Sequence, residues 1–211
     1  LIDSLDKNQF LQAFENVSRQ EHSDFGDSQK VILSCIYSNK DLYPKRIKGD
    51  SRSQVVSSWL KKYSEGYEKR ISRRVSKPVG TVPDPAIEEI INARITKLNS
   101  NDLVKIKYAH RLSMSAENIL GLFLEEYLAT NLLEFGWHCA WGEVVSSVDF
   151  CHKDGVLLQI KNRSNSENSS SMRVREGTEI KKWHRVNANN GSYCWDKLNG
   201  IIGNNKLSEG D

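Results

Sequence analysis

The chain has 211 residues, of which 38% are hydrophobic and 27% are charged, and its formal net charge is +3. This length allows one good-sized domain, or one domain with a substantial extension, and the composition is that of a soluble globular protein. No apolar run approaches the ~18 residues that would span a membrane, and so small a net charge does not by itself indicate nucleic-acid binding.

The N-terminal part is predicted to be helical. Apolar residues recur at helical spacing through residues 1–43, and a third helix is predicted from residue 53 to about residue 74. A basic loop, residues 44–48 (PKRIK), lies between them. The basic end of the third helix fits either a solvated helix terminus, which favours cations, or an arm that contacts phosphates.

Residues 80–85 (GTVPDP) form the clearest break in the chain. They are predicted to link an N-terminal helical region, residues 1–80, to a core formed by residues 81–211. Asp84 before Pro85 suits the start of another helix. The mixed stretch 103–112 cannot be assigned from its pattern.

A central helix is predicted over residues 116–134, with Ser115 as its N-cap. Apolar residues surround it almost completely, so we expect it to be buried. Glu125 lies in its middle, and a carboxylate among leucines is costly unless it is paired or binds a metal. The alternative role for Glu125 is a structural salt bridge. Rival acids for a metal-binding role are Glu117, Glu126 and, more weakly, Glu143.

The stretch 144–161 (VVSSVDFCHKDGVLLQIK) is predicted to form two strands joined by the polar turn 152–155. The first strand would end at Asp149, and the second would carry Gln159 and Lys161 on one face, since side chains alternate along a strand. A carboxylate can bind Mg²⁺, and a lysine can position a water that attacks a phosphodiester. A charged surface hairpin without catalytic function fits the same triplet.

Residues 162–185 leave directly from the second strand. Their serine-rich composition would suit a linker, but amide, hydroxyl and arginine side chains also suit base edges and phosphates. A helix is predicted to begin near Thr178, where its N-terminus would favour a phosphate. The candidate DNA-contacting residues are Arg163, Asn165, Ser166, Glu167, Asn168, Arg173, Arg175, Lys181, Lys182 and Arg185.

An Asp followed ten residues later by Gln-x-Lys resembles the metal-dependent nuclease superfamily named for its PD-(D/E)xK motif. Val148 replaces the usual proline, and Gln159 replaces the usual second acid, which is a stronger Mg²⁺ ligand than an amide. The preceding helix, glycine turn and strand follow the order of the superfamily core. Members often carry a metal-binding glutamate about eleven residues before that glycine, which here implies Glu125 before Gly136.

The run QIKNRSNSENSSS, with the basic and tryptophan-containing residues after it, resembles type II restriction endonucleases, nearest to the SinI and AvaII-like group that recognises GGWCC. This resemblance implies an α/β nuclease core, a mixed sheet flanked by helices, behind an N-terminal helical extension. It implies Mg²⁺-dependent cleavage of double-stranded DNA at a short palindrome, leaving 5′-phosphates. Asp149 and Glu125 would hold the metal, Gln159 would orient metal-bound water, and Lys161 would orient the attacking water.

A palindromic target implies a homodimer, because the two-fold symmetry of the protein mirrors that of the site. The cysteines lack metal-finger spacing, which predicts free thiols and, with no visible signal peptide, a cytoplasmic protein. The chain begins with Leu1 rather than methionine, so its completeness at either end stays open. Two alternatives remain: a structure-selective repair or recombination nuclease with the same core, and a non-catalytic DNA-binding module.

Overall fold

The computed structural model describes residues 5–74, 85–95, 99–164 and 179–210. These residues form six α-helices and one four-stranded mixed sheet, which confirms the predicted α/β class. The helices are α1 (Lys7–Gln20), α2 (Asp27–Ser38), α3 (Arg52–Glu68), α4 (Pro85–Arg94), α5 (Ser100–Leu132) and α6 (Trp195–Ile202). The strands are β1 (Trp137–Cys139), β2 (Phe150–His152), β3 (Leu157–Arg163) and β4 (Lys181–Val186).

Helices α1 to α3 confirm the predicted helical character of the N-terminal part. The Asp6 side chain accepts a hydrogen bond from Gln9 N, and the Gln9 side chain accepts one from Asp6 N. This reciprocal cap satisfies amides that a helix start leaves free. Helix α3 ends at Glu68, earlier than predicted, because the chain tightens into a 3-10 turn at Ile71–Arg73.

The long helix α5 begins sixteen residues earlier than predicted. Asn99 and Asp102 cap each other's backbone amides at its start. The predicted N-cap, Ser115, lies inside the helix, and its hydroxyl donates to the carbonyl of Arg111 at 2.8 Å. This hydrogen bond to the preceding turn satisfies the serine hydroxyl within the helix. The prediction of Ser115 as the N-cap was therefore wrong. The stretch 103–112, which could not be assigned from the sequence, is part of the same helix.

The prediction that this helix is buried on all sides was also wrong. Leu124, Leu128 and Leu132 are buried and pack with the sheet. By contrast, Leu120 is 40% exposed and Phe123 is 51% exposed. A helix with apolar residues on all sides is fully buried only where neighbouring elements cover every side.

The sheet has the order β1-β2-β3-β4, with β1–β2 and β2–β3 antiparallel and β3–β4 parallel. The predicted hairpin exists between β2 and β3, and Gly155 in its turn has a φ of +87°. Its first strand, however, begins at Phe150 and not at residue 144. Residues 140–149 form a loop instead, in which Glu143 and Ser147 have positive φ angles incompatible with a strand.

The prediction of a helix that begins near Thr178 was also wrong for the part that the structure describes. Thr178 itself lies outside the described residues, but Lys181–Val186 forms strand β4. Trp183 is buried in register with Ile160 of β3. Burial of this tryptophan against the sheet fixes the extended conformation.

Two apolar clusters fill the interior. The first joins α1–α3 to the loop 140–149 and to the sheet residues Cys151 and Leu157. Gly66 in α3 and Gly142 approach so closely that a Cβ on Gly66 would lie 2.2 Å from the Gly142 nitrogen. The second joins α5 and α6 to the sheet. The predicted division near residue 80 lies outside the described residues and stays a prediction, but the N-terminal helices and the sheet share one core.

The four cysteines are buried and form no disulfide, as predicted. Within the described ranges, no helix combines the length and apolar character needed to cross a membrane.

Candidate active site

A cavity of about 940 Å³ brings together three of the predicted site residues. Glu125 comes from α5, Asp149 from the end of the loop that precedes β2, and Gln159 from β3. Three separate elements thus place two carboxylates and one amide around the same space.

Asp149 is fixed by its place beside β3. Its backbone N–H donates to the Leu158 carbonyl at 3.0 Å, and its carbonyl accepts from Ala140 N at 2.8 Å. Its side-chain Oδ2 accepts from Ile160 N at 2.7 Å. These bonds hold the carboxylate against the strand that carries Gln159, even though Asp149 itself lies just outside β2.

Gln159 is 8% exposed, and its Oε1 is buried without a hydrogen-bond partner among the described residues. An unpaired buried acceptor is costly, which favours a cation or a water at this oxygen. Since the carboxylates of Glu125 and Asp149 line the same cavity, these three side chains offer the oxygen atoms that Mg²⁺ prefers.

Burial and, as a smaller effect, the negative charge of Asp149 together raise the pKa of the Glu125 carboxyl to about 7. The Cys139 thiol lies 3.6 Å from Glu125 Oε1 and opposes part of this rise through its hydrogen bond. A bound cation would relieve the unfavourable effect of the Asp149 charge on the ionisation of Glu125. Across the described ranges, no three His, Cys, Asp or Glu side chains group closely enough to hold a metal, so a cation here would need a further oxygen beside the two carboxylates, from water or from Gln159.

Lys161 lies on the same face of β3 as Gln159, two residues further along, and pairs with His184 in the β3–β4 register. It is not among the described residues that line the cavity. Its catalytic role therefore stays a prediction.

The rival acids are placed differently. Glu126 accepts hydrogen bonds from Ser72 and pairs with Arg70, outside this cavity. Glu117 is exposed on α5, about 12 Å along the helix from Glu125. Glu143 lines the cavity but forms an ion pair with Arg46.

The predicted DNA-contacting residues are only partly described. Arg163 is exposed at the end of β3, and Lys181 and Lys182 are exposed at the start of β4. Outside the described residues lie Asn165, Ser166, Glu167, Asn168, Arg173 and Arg175.

Arg185 is engaged within the chain. Its Nε donates to Asn162 Oδ1 at 3.0 Å, and it forms an ion pair with Glu209. Its guanidinium lies 5.5 Å from the ring centre of Tyr193. These contacts tie β4 to the C-terminal residues, and the DNA contact predicted for Arg185 stays a prediction.

The sequence did not reveal the N-terminal contribution to this cavity. Lys45 and Arg46 of the basic loop line it, as do residues 145–148 of the loop before Asp149. The basic character of residues 44–48 was visible in the sequence, but their distance from Asp149 along the chain concealed their proximity in space.

Comparison with known proteins assigns a family to this arrangement. The SinI restriction endonuclease family model matches residues 15–211. Over 150 residues the chain is 41% identical to the type II restriction enzyme Eco47I of Escherichia coli. This matched region covers 69% of this chain and 64% of that enzyme. Over 213 residues the chain is 38% identical to the type II restriction enzyme SinI of Salmonella infantis. This matched region covers 96% of this chain and 92% of that enzyme. The resemblance to SinI-like type II restriction endonucleases, inferred from the sequence, is confirmed.

Proposed function

The chain belongs to the SinI restriction endonuclease family, a family of type II restriction enzymes, and on that premise we propose that it cuts double-stranded DNA with Mg²⁺ at a short palindromic site. GGWCC is the candidate sequence, and 5′-phosphates are the expected ends. We also propose that it acts in the bacterial cytoplasm, since both matched enzymes come from bacteria.

One observation carries the metal-dependent part of this proposal: Glu125, Asp149 and the Oε1 of Gln159, which has no partner among the described residues, share one cavity. Asp149 and Glu125 would hold Mg²⁺, which would supply a polarised phosphoryl oxygen and a more acidic water. Gln159 would accept a hydrogen bond from that water and orient it. Lys161 would orient the attacking water from the same face of β3.

The deciding experiment incubates the purified protein with long duplex DNA and Mg²⁺. Discrete fragments with 5′-phosphate ends, mapped by sequencing, would support a site-specific endonuclease. Cutting only at junctions or flaps would favour a repair or recombination nuclease. Binding without cutting would favour a non-catalytic DNA-binding module.

We further propose a homodimer, and helix α5 carries a surface that suits one. Apolar residues recur there at every fourth position and are exposed: Val104 by 63%, Tyr108 by 62%, Leu112 by 42% and Leu120 by 40%. Ala116 continues the row. Side chains four residues apart form one ridge of a helix, and such ridges pack against each other.

The row has the two-fold character that an isologous interface requires. An axis through Leu112 would place Tyr108 of each copy opposite the small Ala116 of the other. It would also bring Lys107 of one copy towards Glu117 of the other, because both lie five residues from Leu112. In an antiparallel pair of α5 helices, a large side chain would thus face a small one, and opposite charges would face each other.

A further inference from the structure

Among the described residues, loop 44–48 supplies the positive charge of the cleft. The cavity that contains Asp149 is also lined by Asp41, Glu125 and Glu143, so carboxylates dominate it. A DNA phosphodiester carries a negative charge and would be repelled there unless cations compensate. The positive side chains among the described lining residues are Lys45 and Arg46.

The backbone of this loop is held firmly beside the site. Ile47 is 8% exposed and belongs to the first apolar cluster, and its N–H donates to the Pro44 carbonyl at 3.0 Å. Just before the loop, the Leu42 carbonyl accepts from Ser146 N at 2.7 Å. These contacts join the loop to residues 145–148, which lead into Asp149, so its cations have a fixed position relative to the carboxylates.

The side chains of the loop remain available at the surface. The Arg46 side chain is 53% exposed and pairs with Glu143, which is 74% exposed. An ion pair so exposed to solvent contributes little to folding stability. A phosphate can therefore replace the Glu143 carboxylate at Arg46 without a large loss of folding stability, and arginine binds phosphate through two parallel hydrogen bonds.

We propose that Lys45 and Arg46 bind backbone phosphates of the DNA strand that enters the cleft, and that Glu143 competes with DNA for Arg46. This inference rests on the proposed function, because it assumes a DNA substrate. It assigns a DNA-binding role to the N-terminal region. Phosphate contacts carry no sequence information, so the effect should be the same for every duplex.

The test measures equilibrium binding of a fluorescent duplex in EDTA, where no cleavage occurs, at several salt concentrations. Lys45→Ala and Arg46→Ala should each weaken binding by about tenfold and lower the salt-dependence slope by about 0.9 per lost phosphate contact. The matched control is Lys48→Ala, which removes a lysine of the same loop that lies outside this cavity. It should bind within about twofold of the wild type.

Glu143→Gln provides a test of the opposite sign. It keeps the size of the side chain but removes the competing charge, so DNA should bind a few-fold tighter, on the order expected for an exposed ion pair. A merely structural role for the Arg46–Glu143 pair would leave affinity unchanged or reduce it. Circular dichroism melts confirm that each variant is folded.

Each outcome has a distinct meaning. If the wild type binds duplex DNA and Lys45→Ala and Arg46→Ala bind equally well, the loop assignment is overturned while the proposed function stands. An equal loss in Lys48→Ala would overturn the assignment to this cavity in favour of the general charge of the loop. If the wild type cuts duplex DNA with Mg²⁺ but binds none in EDTA, this inference alone is overturned. If it neither binds nor cuts duplex DNA, the proposed function fails together with this inference.

Discussion

The Glu125 carboxyl on α5 faces the same cavity as Asp149, and the charge of Asp149 adds to the effect of burial on the Glu125 pKa. Asp149 is anchored to β3 through Ile160 N, whereas Glu125 reaches the site from a helix. Two carboxyls, one of them with a raised pKa, therefore meet where we propose a metal site. This relationship leads to predictions about stability, pH and metal binding.

Glu125→Gln should stabilise the metal-free protein above neutral pH. The Glu125 pKa is raised from 4.5 to about 7, so the folded state keeps a proton between these values that the unfolded state has lost. The contribution of Glu125 to wild-type stability should thus fall by about 3 kcal/mol as pH rises from 4.5 through about 7. Denaturant melts in EDTA at pH 4.5 and pH 8 check this: the variant should match the wild type at the lower pH and exceed it at the higher.

The same variant should lose cleavage at low Mg²⁺ and regain part of it in excess Mg²⁺, because one carboxylate ligand is gone. If Glu125 instead forms a structural ion pair in solution, the variant should lose ~3–5 kcal/mol in EDTA at pH 8. A large loss of melting temperature would therefore transfer the metal-binding role to another acid.

Asp149→Ala should abolish cleavage and leave DNA binding in EDTA largely intact. Removing a metal ligand affects the chemical step far more than it affects phosphate contacts. Single-turnover assays and binding titrations measure the two effects separately. The control is Asp154→Ala, because Asp154 lies in the adjacent hairpin turn with a side chain 73% exposed. Near wild-type cutting by Asp149→Ala would refute the assignment.

Gln159→Glu should retain cleavage or change the preferred metal. It places a carboxylate next to that of Asp149, at the position where the PD-(D/E)xK nucleases that the motif resembles carry one. It should therefore tighten Mg²⁺ binding and lower the stability of the metal-free protein through repulsion. Calorimetric titration with Mg²⁺ and melts in EDTA measure the two effects. A variant that fails to fold even with Mg²⁺ would indicate that the amide has a structural role.

Leu112→Lys should convert the proposed dimer into a monomer. It would place two lysines at the two-fold axis, where like charges meet. Met114→Lys is the matched control, because Met114 is 41% exposed against 42% for Leu112 on the same helix but lies off the apolar row. Light scattering after size-exclusion chromatography gives the mass of each. Equal masses for the wild type and both variants would exclude this row as the interface.

Much of the local structure could be predicted from the sequence. Apolar spacing identified the helices of the N-terminal part, and the turn at Gly155 and the alternation of residues 157–161 identified the hairpin. Boundaries were less reliable, since Ser115 resembles a cap but lies within α5. The stretch 144–149 has strand-like composition, yet it forms a loop because α3 and its Gly66 pack closely against the loop at Gly142.

The sequence by itself determined the family and the identity of the acid, amide and lysine in the motif. It also showed that a glutamate lies among apolar residues on a predicted helix. Those features depend on residue types and spacings within short stretches, where the chain's own geometry limits the options. Only the tertiary structure decided that Glu125, Asp149 and Gln159 share a cavity, that Gln159 Oε1 has no partner among the described residues, and that loop 44–48 lines the same space. The contact of loop 44–48 with the site joins residues about a hundred positions apart along the chain. It is set by the packing of α1–α3 against the sheet, and the place of Glu125 is set by the packing of α5 against the sheet. No local sequence pattern encodes either packing.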